Sequence, residues 1–189
     1  MESAMDILEI MRARHSVRQY TAEKIEPEKR EALEELVWEC NEASGLKIQL
    51  FFEEPKCFAG KMAHYGSFSG VENYIALVGK KGPDLEEKVG YYGEKLACVI
   101  AVGYGKNQGK PHKDKPLEKL CNCSAKMPDW FARGMEAVLL APTAMNQQKF
   151  YFTLEGDRVM ARAAIGFLTK MDLGIVKYHF EAVTGRKVE

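Results

Sequence analysis

A helix, a polar turn and a strand follow one another most plainly between Pro128 and Glu155. Pro128 is followed by Asp129-Trp130-Phe131-Ala132-Arg133-Gly134-Met135-Glu136-Ala137-Val138-Leu139-Leu140, an amphipathic segment read as a long helix. Ala141-Pro142-Thr143-Ala144-Met145-Asn146-Gln147-Gln148 comes next, uncharged throughout, and then Lys149 and an aromatic strand from Phe150 to Leu154. The same order is written earlier in the chain, from Pro27 to Glu53. There Pro27 starts a helix running to about Ala43, with Leu33, Leu36, Val37 and Cys40 on one face, and Ser44-Gly45 ends it. A strand from Ile48 to Phe52 follows. Identities between the two copies are few, so the echo is one of pattern, and it predicts two similar lobes in one chain.

Outward from these copies, Ile7, Leu8, Ile10 and Met11 predict a short amphipathic helix over Asp6 to Arg14, with an extended segment from Arg14 to Tyr20. Glu53 to Glu72 has no period and reads as loop. Tyr74 to Gly79 predicts a strand closed by Lys80-Lys81-Gly82-Pro83. A helix is expected from Asp84 to Leu96 and a buried strand from Ala97 to Gly103. Gly105 to Lys119 reads as an exposed segment, and a last helix is expected from about Lys170 to Val183. Alternating helices and strands place the chain in the α/β or α+β class.

Composition narrows the function classes. The chain has 189 residues, with 46% hydrophobic and 29% charged, which fits one globular domain or a tightly fused pair. Lysines and arginines number 27, as do aspartates and glutamates, so a broadly polybasic nucleic-acid binder is excluded while a local basic cluster is not. The stretch from Met1 to Arg14 has no apolar signal core, and the longest strongly apolar run, Ala97 to Val102, is far short of the ~20 residues of a spanning helix. Cys40, Cys57, Cys98, Cys121 and Cys123 are odd in number and irregular in spacing, which suits free thiols. The expectation is a cytoplasmic protein with neither membrane nor nucleic-acid partners.

Three constellations could carry chemistry. In Arg14-His15-Ser16-Val17-Arg18, two guanidiniums and a hydroxyl could give a phosphate several charge-assisted hydrogen bonds, and Arg14, Ser16 and Arg18 share a side if the segment is extended. The same residues also describe a solvated loop with two surface arginines. Lys113 and Lys115, in Lys110-Pro111-His112-Lys113-Asp114-Lys115-Pro116, could supply the other half of an anion site or be an ordinary solvated loop. The turn Pro142 to Gln148 offers hydroxyl, amide and backbone groups suited to a planar heterocycle, or is only a polar connection. Cys121-Asn122-Cys123 with His112 upstream lacks the paired C-x₂-C spacing of metal sites, so no metal is expected. His64, His112 and His179 have no partner spacing that suggests a catalytic triad, and Trp130 and Phe131 suit core or lobe-interface packing.

Taken together, Arg14-His15-Ser16-Val17-Arg18 after a short helix and Pro142-Thr143-Ala144-Met145-Asn146-Gln147-Gln148 resemble the FMN-dependent nitroreductase family, and most closely its members with two lobes in one chain. The resemblance covers nearly the whole sequence and implies an α+β flavoprotein fold. In most such proteins an intertwined homodimer holds the flavin between subunits. By this likeness Arg14, His15, Ser16 and Arg18 hold the ribityl phosphate, while Pro142, Thr143, Ala144, Asn146 and Gln147 lie along the isoalloxazine. Lys113 and Lys115, ahead of Pro116-Leu117-Glu118, match the family's further phosphate contacts.

In this chain the turn follows the second helix of the echo, and the first copy has Ala43-Ser44-Gly45-Leu46 in its place. The implied arrangement is a single domain over residues 1–189 with lobes at about 5–96 and 97–189, a monomer acting as a pseudo-dimer, with a homodimer as the alternative assembly. The family's central helix segment is missing, because Leu96 leads directly into the strand at Ala97. The resemblance implies an FMN-dependent oxidoreductase that passes reducing equivalents from NAD(P)H to nitroaromatic or quinone-like small-molecule acceptors, the flavin supplying the redox chemistry. The alternative is a shortened, non-catalytic member that binds flavin weakly or serves as a binding scaffold.

Overall fold

The computed structural model describes residues 6–58, 67–80, 94–110, 113–123 and 126–189. In chain order its elements are α1 (Ile7–Ala13), α2 (Pro27–Ser44), β1 (Gln49–Phe51), β2 (Asn73–Lys80), β3 (Glu94–Val102), α3 (Asp129–Leu140), β4 (Phe150–Glu155), β5 (Arg158–Ala163) and α4 (Thr169–Thr184). The chain divides into two units, Met1–Ser16 with Lys110–Glu189, and Val17–Gly109. They are called the terminal and the middle unit below.

The terminal unit is built on one aromatic cluster. Phe131 of α3, Phe152 of β4 and Phe180 of α4 are fully buried, and the Phe180 ring lies 5.5 Å from each of the other two ring centres. This close approach of α4 to α3 requires Gly134, since a Cβ there would sit 2.4 Å from a Phe180 ring carbon. Met135, Val138, Val159 and Val176 complete the core. The helix α1 adds Leu8 and Met11 against Ala137, and its first turn is capped by Asp6, whose carboxylate accepts from the Leu8 N–H and pairs with Arg133.

Strand alternation sets the hairpin: Phe150 and Phe152 turn inward, while Tyr151 and Thr153 stay half-exposed. The partner strand β5 is absent from the sequence-based expectation. It pairs residue by residue with β4, from Phe150 opposite Ala163 to Glu155 opposite Arg158, across a connection in which Gly156 takes φ +60°. Its sequence, Arg158-Val159-Met160-Ala161-Arg162-Ala163, has a single β-branched residue, so pairing, more than propensity, makes it a strand.

The middle unit holds an antiparallel sheet in the order β1-β2-β3 with a register shift at Leu77/Val78. Gln19 and Tyr20 bridge to Ser69 and Gly105, and the buried Tyr20 hydroxyl donates to the carbonyls of Val17 (3.2 Å) and Ala101 (3.3 Å). Two expectations need correction here. Residues 84–93 of the helix expected at Asp84 to Leu96 lie outside the described residues, but Glu94, Lys95 and Leu96 are strand, paired with Lys80, Gly79 and Val78. The strand expected to be buried is an edge strand, with Ile100 47% exposed and Leu96 53% exposed. An apolar run reports β-propensity and not the number of layers that cover it.

The helix α2 forms where expected, with Pro27 in its first turn and Gly45 closing it at φ +65°. None of its residues is buried, however, and Leu36 and Trp38 are 53% and 64% exposed.

Candidate functional site

The connection between α3 and β4 is held by a dense polar network. It enters a one-turn 3-10 segment, Ala144–Asn146, and carries three non-glycine residues in the left-handed region: Met145 (φ 52°), Asn146 (φ 51°) and Gln148 (φ 42°). Only asparagine tolerates that region readily; each of the others costs on the order of 1 kcal/mol or more. Surrounding bonds must therefore hold the turn in place.

Two side chains outside the turn supply four of them. Asp172, buried in the first turn of α4, accepts from the Ala144 N–H (2.9 Å) and from Gln147 Nε2 (2.7 Å). Lys115 donates through Nζ to the carbonyls of Gln147 (2.7 Å) and Gln148 (3.1 Å). Within the turn, the buried Gln148 accepts at Oε1 from the Lys115 N–H (2.9 Å) and donates to the Lys113 carbonyl (2.8 Å) and to Asn146 Oδ1 (2.8 Å). Asn146 Nδ2 donates to the same Lys113 carbonyl at 2.9 Å, and the Gln148 N–H donates to Thr143 Oγ1 at 3.2 Å.

The second and third sequence constellations thus meet, joined through Lys113, Lys115, Asn146 and Gln148. The Lys115 ammonium spends two of its donors on turn carbonyls, while the Lys113 side chain is exposed and contributes its backbone carbonyl. Asn146 and Gln147 direct their amides into the protein, to Lys113 and to Asp172 and Phe167. What the turn presents outward is the half-buried Pro142, Thr143 and Ala144 and the Met145 side chain, 66% exposed.

Arg14 stands at the base of the same turn. Its guanidinium donates to the Leu140 carbonyl (3.2 Å), at the end of α3 where the carbonyls lack helical partners. Its Nε is buried with no hydrogen-bond partner among the described residues, and burial draws Arg14 below its ordinary pKa. His179 of α4 is buried nearby, with Nδ1 bonded to the Ile175 carbonyl (2.9 Å); burial, and secondarily the Arg14 charge, hold its pKa below the ordinary value. His15 bonds the Ala13 carbonyl through Nδ1 (3.0 Å), and Ser16 is exposed. Arg18 is exposed and belongs to the middle unit, so of the expected site residues it is the one outside the terminal unit.

Sequence reasoning passed over Asp172. An acid in the first turn of a helix is common because it complements the macrodipole, so nothing in the sequence marked it as the brace of a distant turn. For the metal alternative, Cys121 is buried with Sγ directed to the Leu117 carbonyl, Cys123 is half-buried, and His112 lies outside the described residues. Among the described residues no group of three or more histidine, cysteine or acidic side chains could hold a metal ion, and no helix is long and apolar enough to cross a membrane.

The sequence profile of the family described as putative TM nitroreductase matches residues 6–97 and 93–184. The chain belongs to this family. The two tandem matches fit a two-lobe arrangement in one nitroreductase-like chain. Its fold is similar to the crystal structure of a putative nitroreductase from Thermotoga maritima, with a TM-score of 0.67 and 17% identity over 97% of this chain and 85% of that one. Among curated proteins no relative matches the sequence. The nitroreductase-like α+β fold and the oxidoreductase kind of chemistry follow from the family.

Proposed function

We propose that this nitroreductase-family chain is an FMN-dependent oxidoreductase. The reading rests on one observation: a strained turn with three left-handed non-glycine residues, locked by a buried carboxylate, a buried amide and a lysine ammonium. Backbone strain of this kind persists where the surroundings over-determine it, and ligand clamps are where it clusters. By the sequence resemblance, the same residues would form the flavin turn.

The residues present fit such a cofactor in one further respect. Arg14 Nε is a buried donor without a partner among the described residues, and such a donor costs free energy until an acceptor meets it. Arg14 and Ser16, with Lys113, would hold the phosphate, while Pro142, Thr143, Ala144 and Met145 would lie against the ring system. His15, Asn146, Gln147 and Lys115 would act by fixing the backbone around it, and Arg18 is the remaining cation of the sequence motif. When bound, FMN would supply two-electron redox chemistry between a nicotinamide donor, NADH or NADPH, and an electron-poor nitroaromatic or quinone acceptor. The protein's part is to fix the turn, exclude water from its outward face and present cations to the phosphate. The two lobes, at about 5–96 and 97–189, would stand for the two subunits of an ordinary family dimer.

The test is a titration of the purified chain with FMN, followed by NAD(P)H-dependent reduction of a nitroaromatic. A bound flavin spectrum and turnover are expected. A protein that neither acquires flavin absorbance nor quenches flavin fluorescence would remove the reading.

A further inference from the structure

The outward face of the β4–β5 hairpin carries two cations, Lys149 and Arg162, that do not brace the turn at 142–148. Tyr151 stands opposite Arg162 in the strand register, and the guanidinium lies over its ring, 5.4 Å from the centre. Lys149, two residues before Tyr151, continues the same face by strand alternation. Lys115 and Lys119 reach this face from the segment that precedes α3, and the whole lines a cleft of about 490 Å³. That volume falls in the range of small-molecule sites. No lining residue is acidic. At the other end of the hairpin the arrangement is the opposite: Arg158 is held by Glu189, with Nε at 2.8 Å.

Cations gathered around a concavity without counter-charge focus a positive potential into it, and an anion of matching charge relieves their mutual repulsion. Apolar surface adjoins the charge, since Ile165 is 99% exposed on the cleft wall and Tyr151 is half-buried. We propose that this cleft binds the diphosphate of a nucleotide, with Lys119, Lys149 and Arg162 on the phosphates and Ile165 and Tyr151 against the base and sugar. The cleft shares Lys115 and Gln148 with the brace of the turn but is distinct from the proposed flavin contacts, since Arg14, Ser16, Pro142, Thr143 and Ala144 do not line it.

The proposal is tested by calorimetric titration of the full chain with ADP and, separately, with inorganic pyrophosphate, at low and at physiological salt. ADP is expected to bind more tightly than pyrophosphate, with affinity falling as salt rises. The pair Lys149→Gln/Arg162→Gln should lower ADP affinity about tenfold or more, as expected for losing charge-assisted hydrogen bonds. Arg158→Gln should leave it unchanged. Both lysine and arginine positions are exposed, and an unaltered thermal midpoint will show that the variants fold. Absence of ADP binding, or binding that the double substitution does not weaken, overturns the proposal. Pyrophosphate binding as tightly as ADP overturns the nucleotide assignment, and competition between FMN and ADP overturns the separateness of the two sites.

Discussion

The two copies of the internal echo, α2 with β1 and α3 with β4, have the same written order and opposite fates. The helix α3 buries Phe131, Gly134, Met135, Ala137 and Val138 in its 12 residues, whereas α2 buries none in 18. The endings differ in the same direction. α2 closes on Gly45 at φ +65°, where a glycine adopts the left-handed conformation at no steric cost. α3 runs into a turn whose left-handed residues are not glycines and are held by Asp172 and Lys115. Amphipathic patterning was therefore enough to specify both helices, while their energetic weight depends on what each meets: α3 meets an aromatic partner in α4.

The sharpest test replaces the side chain that gives α3 its weight. Phe180→Ala should destabilise the protein by about 3–5 kcal/mol, the usual cost of removing a buried aromatic, read as a lowered urea midpoint. Leu36→Ala in the half-exposed face of α2 should stay within about 0.5 kcal/mol, as surface substitutions do. A Leu36 cost approaching that of Phe180 would break the comparison. Next in size is a pair of glycines. Gly134→Ala forces a methyl into the Phe180 ring and should cost about 1–3 kcal/mol. Gly174→Ala in α4, where an added Cβ meets nothing within 4 Å, should instead stabilise by up to about 1 kcal/mol through helix propensity. Thermal melts of the two variants should move in opposite directions.

These contrasts show what could be read in the sequence. Helices α1 to α4 and strands β1, β2 and β4 follow from apolar period, from Pro27 and Pro128, and from Gly45. The strand β5 was not legible because Ala161, Arg162 and Ala163 carry no β signal of their own; the ladder to Phe150 and Phe152 makes it. The exposure of β3 was not legible because edge position is set by sheet order, a non-local fact. At the candidate site, Arg14, Lys115 and the turn at Pro142 to Gln148 stand out by residue type. Their bonding does not: the spending of Lys115 on carbonyls and the brace from Asp172 depend on contacts across 32 and 28 positions of sequence.

The brace itself separates the two endings. Asp172→Asn keeps the shape but replaces one carboxylate oxygen by a donor facing either the Ala144 N–H or the Gln147 amide. The cost should be about 1–3 kcal/mol, since one buried donor loses its acceptor. FMN affinity should fall with it if the locked turn carries the flavin. Unchanged stability in urea would mean that the strained turn holds itself, and the contrast with the Gly45 ending would lose its basis.

The smallest expected effect concerns pH and separates the helices by their titratable groups. His179 is buried on α4 between the Ile175 carbonyl and the charge of Arg14, and its folded pKa is held below the ordinary 6.5. The folded state therefore binds fewer protons at this residue than the unfolded state does as acidity rises. Its stabilising contribution is present above pH 6.5 and is lost as the pH falls from there through the folded pKa. The helix α2 has no buried titratable side chain and should add nothing in that window. Urea midpoints measured between pH 7.5 and about 5 should decline for the native sequence and decline less for His179→Gln, which keeps a donor for the Ile175 carbonyl without gaining charge. An equal decline in both proteins would assign the acid sensitivity to other groups and leave α4, like α2, without a titratable group that senses the core.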